Sequence, residues 1–169
     1  LDANLPSPTD PNDPTPSDDP ERLGAALAVG DFDGDGYADL AIGAPARDAP
    51  GAAAEVGAVL IAFGGPLGLS FARHTLLEPA FVGLVLTPNL HFGAALVAGD
   101  LDGDGLDDLT VGVPGAATGA GHVAFFRGVR MSGLANAGVS WSFASLVAGN
   151  AGIAGDALGS ALAIGDFDH

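Results

Sequence analysis

Cysteine is absent from the 169 residues, which excludes disulfides, zinc-thiolate sites and thiol catalysis together and leaves the redox compartment open. Basic residues are nearly as scarce. Five stand against 21 Asp and Glu, and without a basic stripe to meet phosphates the chain is not expected to bind nucleic acid. No apolar run reaches the roughly 18 residues of a membrane span, so no span is expected in this chain. The histidines His74, His91, His122 and His169 lie in no recognisable catalytic motif, and a histidine alone in a strand or loop is a packed or solvated residue more often than a catalyst. No enzymatic activity is expected of this segment.

Acid and glycine are what the chain has in quantity. The formal charge is −16, and its placement is uneven: ten acids stand at spaced positions in three short loops and six lie in the first 21 residues. Residues 1–22 carry Pro6, Pro8, Pro11, Pro14, Pro16 and Pro20 among Asp, Ser, Thr and Asn. That composition cannot bury apolar surface, and it reads as a disordered linker or stalk. The chain starts at Leu1, which is expected of a processed form or an excerpt.

From Leu23 onward the chain repeats itself. Leu23-Gly24-Ala-Ala-Leu27-Ala-Val29-Gly30-Asp31 returns as Phe92-Gly93-Ala-Ala-Leu96-Val-Ala98-Gly99-Asp100 and as Leu158-Gly159-Ser-Ala-Leu162-Ala-Ile164-Gly165-Asp166, at offsets of 69 and 66 residues. Three units follow: 23–91, 92–157, and the start of a third at 158–169. Inside a unit the apolar segments are short, bounded by Gly and Pro and partly β-branched, the pattern of strands. Asp39–Pro45 and Asp108–Pro114 follow the loops, third strands are expected at Gly57–Phe63 and Gly121–Arg127, and fourth strands at Phe71–Leu77 and Ser140–Val147. Four strands in some 67 residues is the rhythm of a propeller blade. The fold class is all-β: two blades of four antiparallel strands plus the first strand of a third, an incomplete ring. The first strands are slim, with Ala25, Ala26, Ala28 and Gly30 in one copy, as crowding about a central axis requires; a solenoid or a meander sandwich is the alternative.

The loops carry the chemistry. Calcium takes six to eight oxygens at roughly 2.3–2.6 Å, so one short loop must return several carboxylates to a point. In the first loop Asp31, Asp33 and Asp35 stand at positions 1, 3 and 5, the Tyr37 carbonyl at 7 and Asp39 at 9. The second repeats the scheme with Asp100, Asp102, Asp104, the Leu106 carbonyl and Asp108. Asp107 falls out of phase and is expected to be solvated. A third loop starts at Asp166 and Asp168 but lacks positions 5 to 9. A helix-loop-helix site would need Glu at position 12, where Ile42 and Val111 stand instead. Magnesium suits the loops less, since it keeps its waters in a tight octahedron.

The order Phe92-Gly93, then Gly99-Asp100-Leu-Asp102-Gly-Asp104-Gly, then Gly112-Val-Pro114 resembles the FG-GAP repeat of integrin α-subunit propellers and their bacterial relatives. Gly43-Ala44-Pro45 in the first unit matches the name-giving tripeptide. The resemblance implies a seven-bladed propeller, calcium in the hairpin between the first two strands of a blade, and an adhesive or ligand-binding role outside the cell with a protein or glycan partner. It also implies that calcium is a brace, away from the main binding surface. A purely structural scaffold and a lectin-like glycan site, to which Tyr37, Trp141 and Phe143 could contribute stacking, stay open. Two blades alone would leave apolar sheet faces uncovered, so a piece of a longer ring, or self-association through those faces, is expected.

Overall fold

The computed structural model describes residues 21–49, 54–135, 137–146 and 152–165; most of the proline-rich stretch and the third loop lie outside them. Strands β1 (Leu27–Gly30), β2 (Asp39–Ala44), β3 (Ala58–Phe63) and β4 (Ser70–Leu77) form one antiparallel sheet in that order. The second unit repeats it with β5 (Leu96–Gly99), β6 (Asp108–Val113) and β7 (His122–Phe126). A small hairpin, β8 (Gly128–Val129) with β9 (Gly133–Leu134), precedes the outer strand β10 (Val139–Ser142), and the second sheet runs β5-β6-β7-β10. The chain is all-β, in four-stranded antiparallel blades. Gly30 pairs with Asp39 and Gly99 with Asp108, so each aspartate loop is the hairpin connection between the first two strands of its sheet.

The middle strands are apolar on both faces because both are covered. All six residues of β6 are buried. Phe32, Ile61, Phe92, Leu109, Val111 and Phe126, contributed by both units, belong to a single core. The repeat's opening and closing motifs meet across the boundary between sheets. A Cβ on Gly43 would stand 2.2 Å from the Gly93 carbonyl oxygen, and one on Gly112 1.9 Å from that of Gly159, so these strands tolerate only glycine where the next unit's backbone crosses them. Parallel bridges join Gly57 to Phe92 and Gly121 to Leu158, placing the start of the third unit on the second as the second sits on the first. By contrast Leu23, Leu27 and Val29, at the start of the first unit, are exposed.

Three parts of the sheets differ from expectation, and short helical turns at Pro79–Val82 and Ala116–Gly119 were not expected either. The fourth strand of the second unit ends at Ser142, where Ser145 Oγ accepts from the Ser142 N–H and donates to its carbonyl, both at 2.8 Å, and 143–146 turn into a helical turn. A serine that bonds nearby backbone competes with the ladder. Residues 158–165 form no strand, only the bridge at Leu158. First strands here pair with the second strand of their own unit, and no strand follows 158–165 among the described residues. The β8–β9 hairpin was not foreseen, since its paired segments are two residues each.

His122 on β7 has a buried Nδ1 with no partner among the described residues, and burial holds its pKa below the ordinary 6.5. The folded state therefore takes up a proton less readily than the unfolded chain. Its stabilising contribution is complete above pH 6.5 and is lost as pH falls through the lowered value. In chelator, His122→Val should lose less stability than the parent between pH 7.5 and 5.5, read from urea midpoints. Parallel slopes would show that the imidazole does not matter.

Candidate metal centre

Both hairpin loops share six hydrogen bonds, each donated by a backbone N–H to a carboxylate, and the second has a seventh, from the Gly103 N–H to Asp100 Oδ1 at 2.7 Å. In the first, Asp35 donates to Asp31 Oδ1 and Asp33 Oδ1, both at 3.1 Å, and Gly36 to Asp31 Oδ2 at 2.9 Å. Tyr37 donates to Asp35 Oδ1 at 2.9 Å. Phe32 and Gly64 donate to the two oxygens of Asp39 at 2.9 and 2.8 Å. In the second, Asp104 donates to Asp100 Oδ1 and Asp102 Oδ1 at 3.1 and 3.2 Å, Gly105 to Asp100 Oδ2 at 2.9 Å, and Leu106 to Asp104 Oδ1 at 3.0 Å. Leu101 and Gly128 hold Asp108, both at 2.9 Å. Gly34, Gly36, Gly103 and Gly105 all take positive φ, which lets so short a loop curl back on its first residue.

These bonds gather Asp31, Asp33 and Asp39 in one cluster and Asp100, Asp102 and Asp108 in the other, with one carboxylate oxygen from each residue within 4.8 Å of the other two. That span fits calcium, because two oxygens on opposite sides of an ion at roughly 2.4 Å lie about 4.8 Å apart. Hard carboxylate oxygens without nitrogen or sulfur are the donor set for calcium and not for zinc. Asp35 and Asp104 stand beside these clusters, each turned onto the N–H of the position-7 residue; this holds the chain just ahead of the Tyr37 and Leu106 carbonyls, the expected neutral ligands.

Asp39 and Asp108 are buried, at 1 % and 0 % exposure, and their pKa values are raised, chiefly by loss of hydration, against the lowering effect of their two backbone hydrogen bonds. Neighbouring carboxylates raise them further. Each ties its loop to the chain just beyond the third strand, at Gly64 or Gly128, so the position-9 aspartate links the sheet to the cluster.

Arginines answer part of this charge. Arg73 of β4 reaches Asp33 at 2.7 Å while its guanidinium lies 4.2 Å over the Phe63 ring. Arg127 contacts Asp102 at 2.6 Å and Asp104 at 2.7 Å. Neither was singled out by spacing, because neither is in an aspartate loop. Asp107 corrects an expectation: it is half-buried, and its Oδ2 accepts from the Asp31 N–H at 2.8 Å. Trp141 packs against Phe125 with ring centroids 5.9 Å apart, which accounts for it as an outer-strand residue.

The FG-GAP repeat family matches residues 23–61 and 92–126, stretches that include both loops, the first two strands of each sheet, most of β3 and all of β7. The chain is 37 % identical over 105 residues to phosphatidylinositol-glycan-specific phospholipase D of Rattus norvegicus, covering 58 % of this chain and 12 % of that protein. Integrin alpha-PS5 of Drosophila melanogaster is 40 % identical over 102 residues, 56 % of this chain and 9 % of that protein. Human integrin alpha-IIb is 40 % identical over 114 residues, 63 % of this chain and 10 % of that protein. The chain thus spans about a tenth of the length of these relatives. Opening glycine, aspartate loop and closing glycine recur in order in both matched stretches and meet across the sheets, and the chain carries two tandem FG-GAP repeats, a segment of an integrin-like β-propeller.

Proposed function

We propose that each complete loop binds one calcium ion, and that the chain is a non-catalytic segment of an extracellular adhesive or ligand-binding protein in which calcium is a brace. The observation that carries the reading is the pair of carboxylate triads within 4.8 Å, held in the same conformation by matching sets of hydrogen bonds. Asp31, Asp33 and Asp39, with Asp35 and the Tyr37 carbonyl, would hold one ion; Asp100, Asp102 and Asp108, with Asp104 and the Leu106 carbonyl, the other. Bound calcium would supply positive charge to carboxylates that otherwise repel one another. A metal held mostly by protein oxygens has little room left for substrate, which favours a structural role over metal-assisted hydrolysis.

A location outside the cell suits partly exposed loops of this kind, since extracellular calcium modules work at Kd values of about 10⁻⁴–10⁻³ M. No described helix is long and apolar enough to cross a membrane. Isothermal titration of the chain with calcium tests the reading. Two ions per chain are expected, Asp33→Ala and Asp102→Ala should each bind one, and magnesium should compete weakly. Absence of calcium heat and of any calcium-dependent change in melting would overturn it. Glycan and protein arrays probed in calcium and in chelator then address the partner.

A further inference from the structure

Asp107 sits at position 8 of the second loop, between Leu106 and Asp108, yet it serves the loop of the preceding blade. Its Oδ2 accepts from the Asp31 N–H at 2.8 Å and its own N–H donates to the Asp31 carbonyl at 3.2 Å. One residue of the second blade thereby brackets the main chain of position 1 in the first loop. The next three carbonyls are held from the same side: Phe32 by the Val129 N–H at 3.2 Å, Asp33 by the Met131 N–H at 2.7 Å, and Gly34 by Arg130 Nη1 at 3.1 Å. Four consecutive peptides of the first metal loop are thus fixed by the second blade. Gly30 is part of the same fit, since a Cβ there would stand 2.8 Å from that of Asp107.

We propose that Asp107 is a positioning residue for the metal site of the preceding blade, and that ion binding in the second loop strengthens binding in the first. This rests on the reading of both loops as calcium sites. An ion drawn to the Leu106 carbonyl and to Asp108 fixes the chain on both sides of Asp107. A fixed Asp107 holds Asp31 in its binding geometry, so less ordering is left for the first ion to impose. The coupling is reciprocal: whatever factor the second ion adds to the first, the first adds to the second. The expected factor is about fivefold or more, at the low end of measured couplings between sites.

Single-site backgrounds separate the effects. With Asp102→Ala, only the first loop is intact; adding Asp107→Ala should weaken its calcium affinity about fivefold or more. Adding Asp107→Asn, which keeps an oxygen for the Asp31 N–H, should restore most of the loss. With Asp33→Ala, only the second loop is intact, and Asp107→Ala should leave it within about twofold. Arg130→Ala, an exposed change that does not endanger folding, should likewise weaken the first site and spare the second. The parent chain should bind its two ions more tightly than the single-site variants do. Several outcomes overturn the proposal: loss at the second loop alone, equal loss at both, no loss at either, or Asp107→Asn behaving like Asp107→Ala, which would trace the effect to charge and not to the bracket. A parent chain that binds no calcium fails at the first titration and overturns the calcium reading itself, a result distinct from all of these.

Discussion

Saturating calcium is expected to raise the melting temperature by about 10–20 °C at neutral pH. The size follows from linkage: a ligand that binds only the folded state adds RT ln(1 + [L]/Kd), about 2.7 kcal/mol per site at a hundredfold excess. Two sites give about 5 kcal/mol before any coupling between them, and 1 kcal/mol moves the midpoint of a chain of this size by about 2–4 °C. Identical melting curves in calcium and in chelator would sink the expectation.

The pH dependence of that shift carries a sign that can be worked out in advance. Burial raises the pKa of Asp39 and Asp108 above the ordinary 3.8, so without metal the folded state holds protons there that the unfolded chain has released. These two groups therefore make the metal-free form more stable at the acid end of the window between 3.8 and the raised values, and this contribution is lost as pH rises through it. Calcium acts in the opposite sense, because its ligands must be ionised. The calcium-induced shift should be full at neutral pH and shrink toward zero as pH falls through the same window. Comparing the two curves at each pH cancels the separate contribution of His122. A shift of equal size at pH 4 and pH 7 would mean that the carboxylates are not the ligands.

Strand content and loop placement were legible in the sequence because both are local. The Gly-bounded apolar segments are too short for helices, and aspartates at alternate positions between glycines can return to one point only by a curled loop. What the sequence did not show lies in contacts between units. Asp107 is out of phase with its own loop, and nothing near it in the chain announces that Asp31, 76 residues away, is its partner. Arg73 reaches its aspartate from β4 and Arg127 from the link between β7 and β8, positions whose spacing carries no metal pattern. The end of β10 turned on one serine, and residues 158–165 repeat a strand sequence without the segment that would pair with it. Local pattern determined which residues turn and which extend; packing between blades decided which of them serve a neighbour.

Phe92 is where that packing should be most costly to disturb. It opens the second unit, has 0 % exposure, bridges to Gly57 of the first sheet, and meets Phe126 edge to face with centroids 6.1 Å apart. Phe92→Ala removes a full ring from the shared core and should cost about 3–5 kcal/mol, transfer and cavity terms together. Of this, about 0.5–1.5 kcal/mol belongs to the aromatic pair. Phe92→Leu should cost less, about 1.5 kcal/mol or below, because the first and third units carry Leu23 and Leu158 at the same position. Gly112→Ala disturbs the same kind of boundary from the other side. Its Cβ would stand 1.9 Å from the Gly159 carbonyl oxygen, so the third unit must lift from the second or the sheet must bend, whereas Leu27→Ala, on the exposed face of β1, should have little effect. Urea denaturation in saturating calcium orders the four variants. If Phe92→Ala fell within about 1 kcal/mol of the parent, the two sheets would not share a core, and the opening motif would serve its own blade alone.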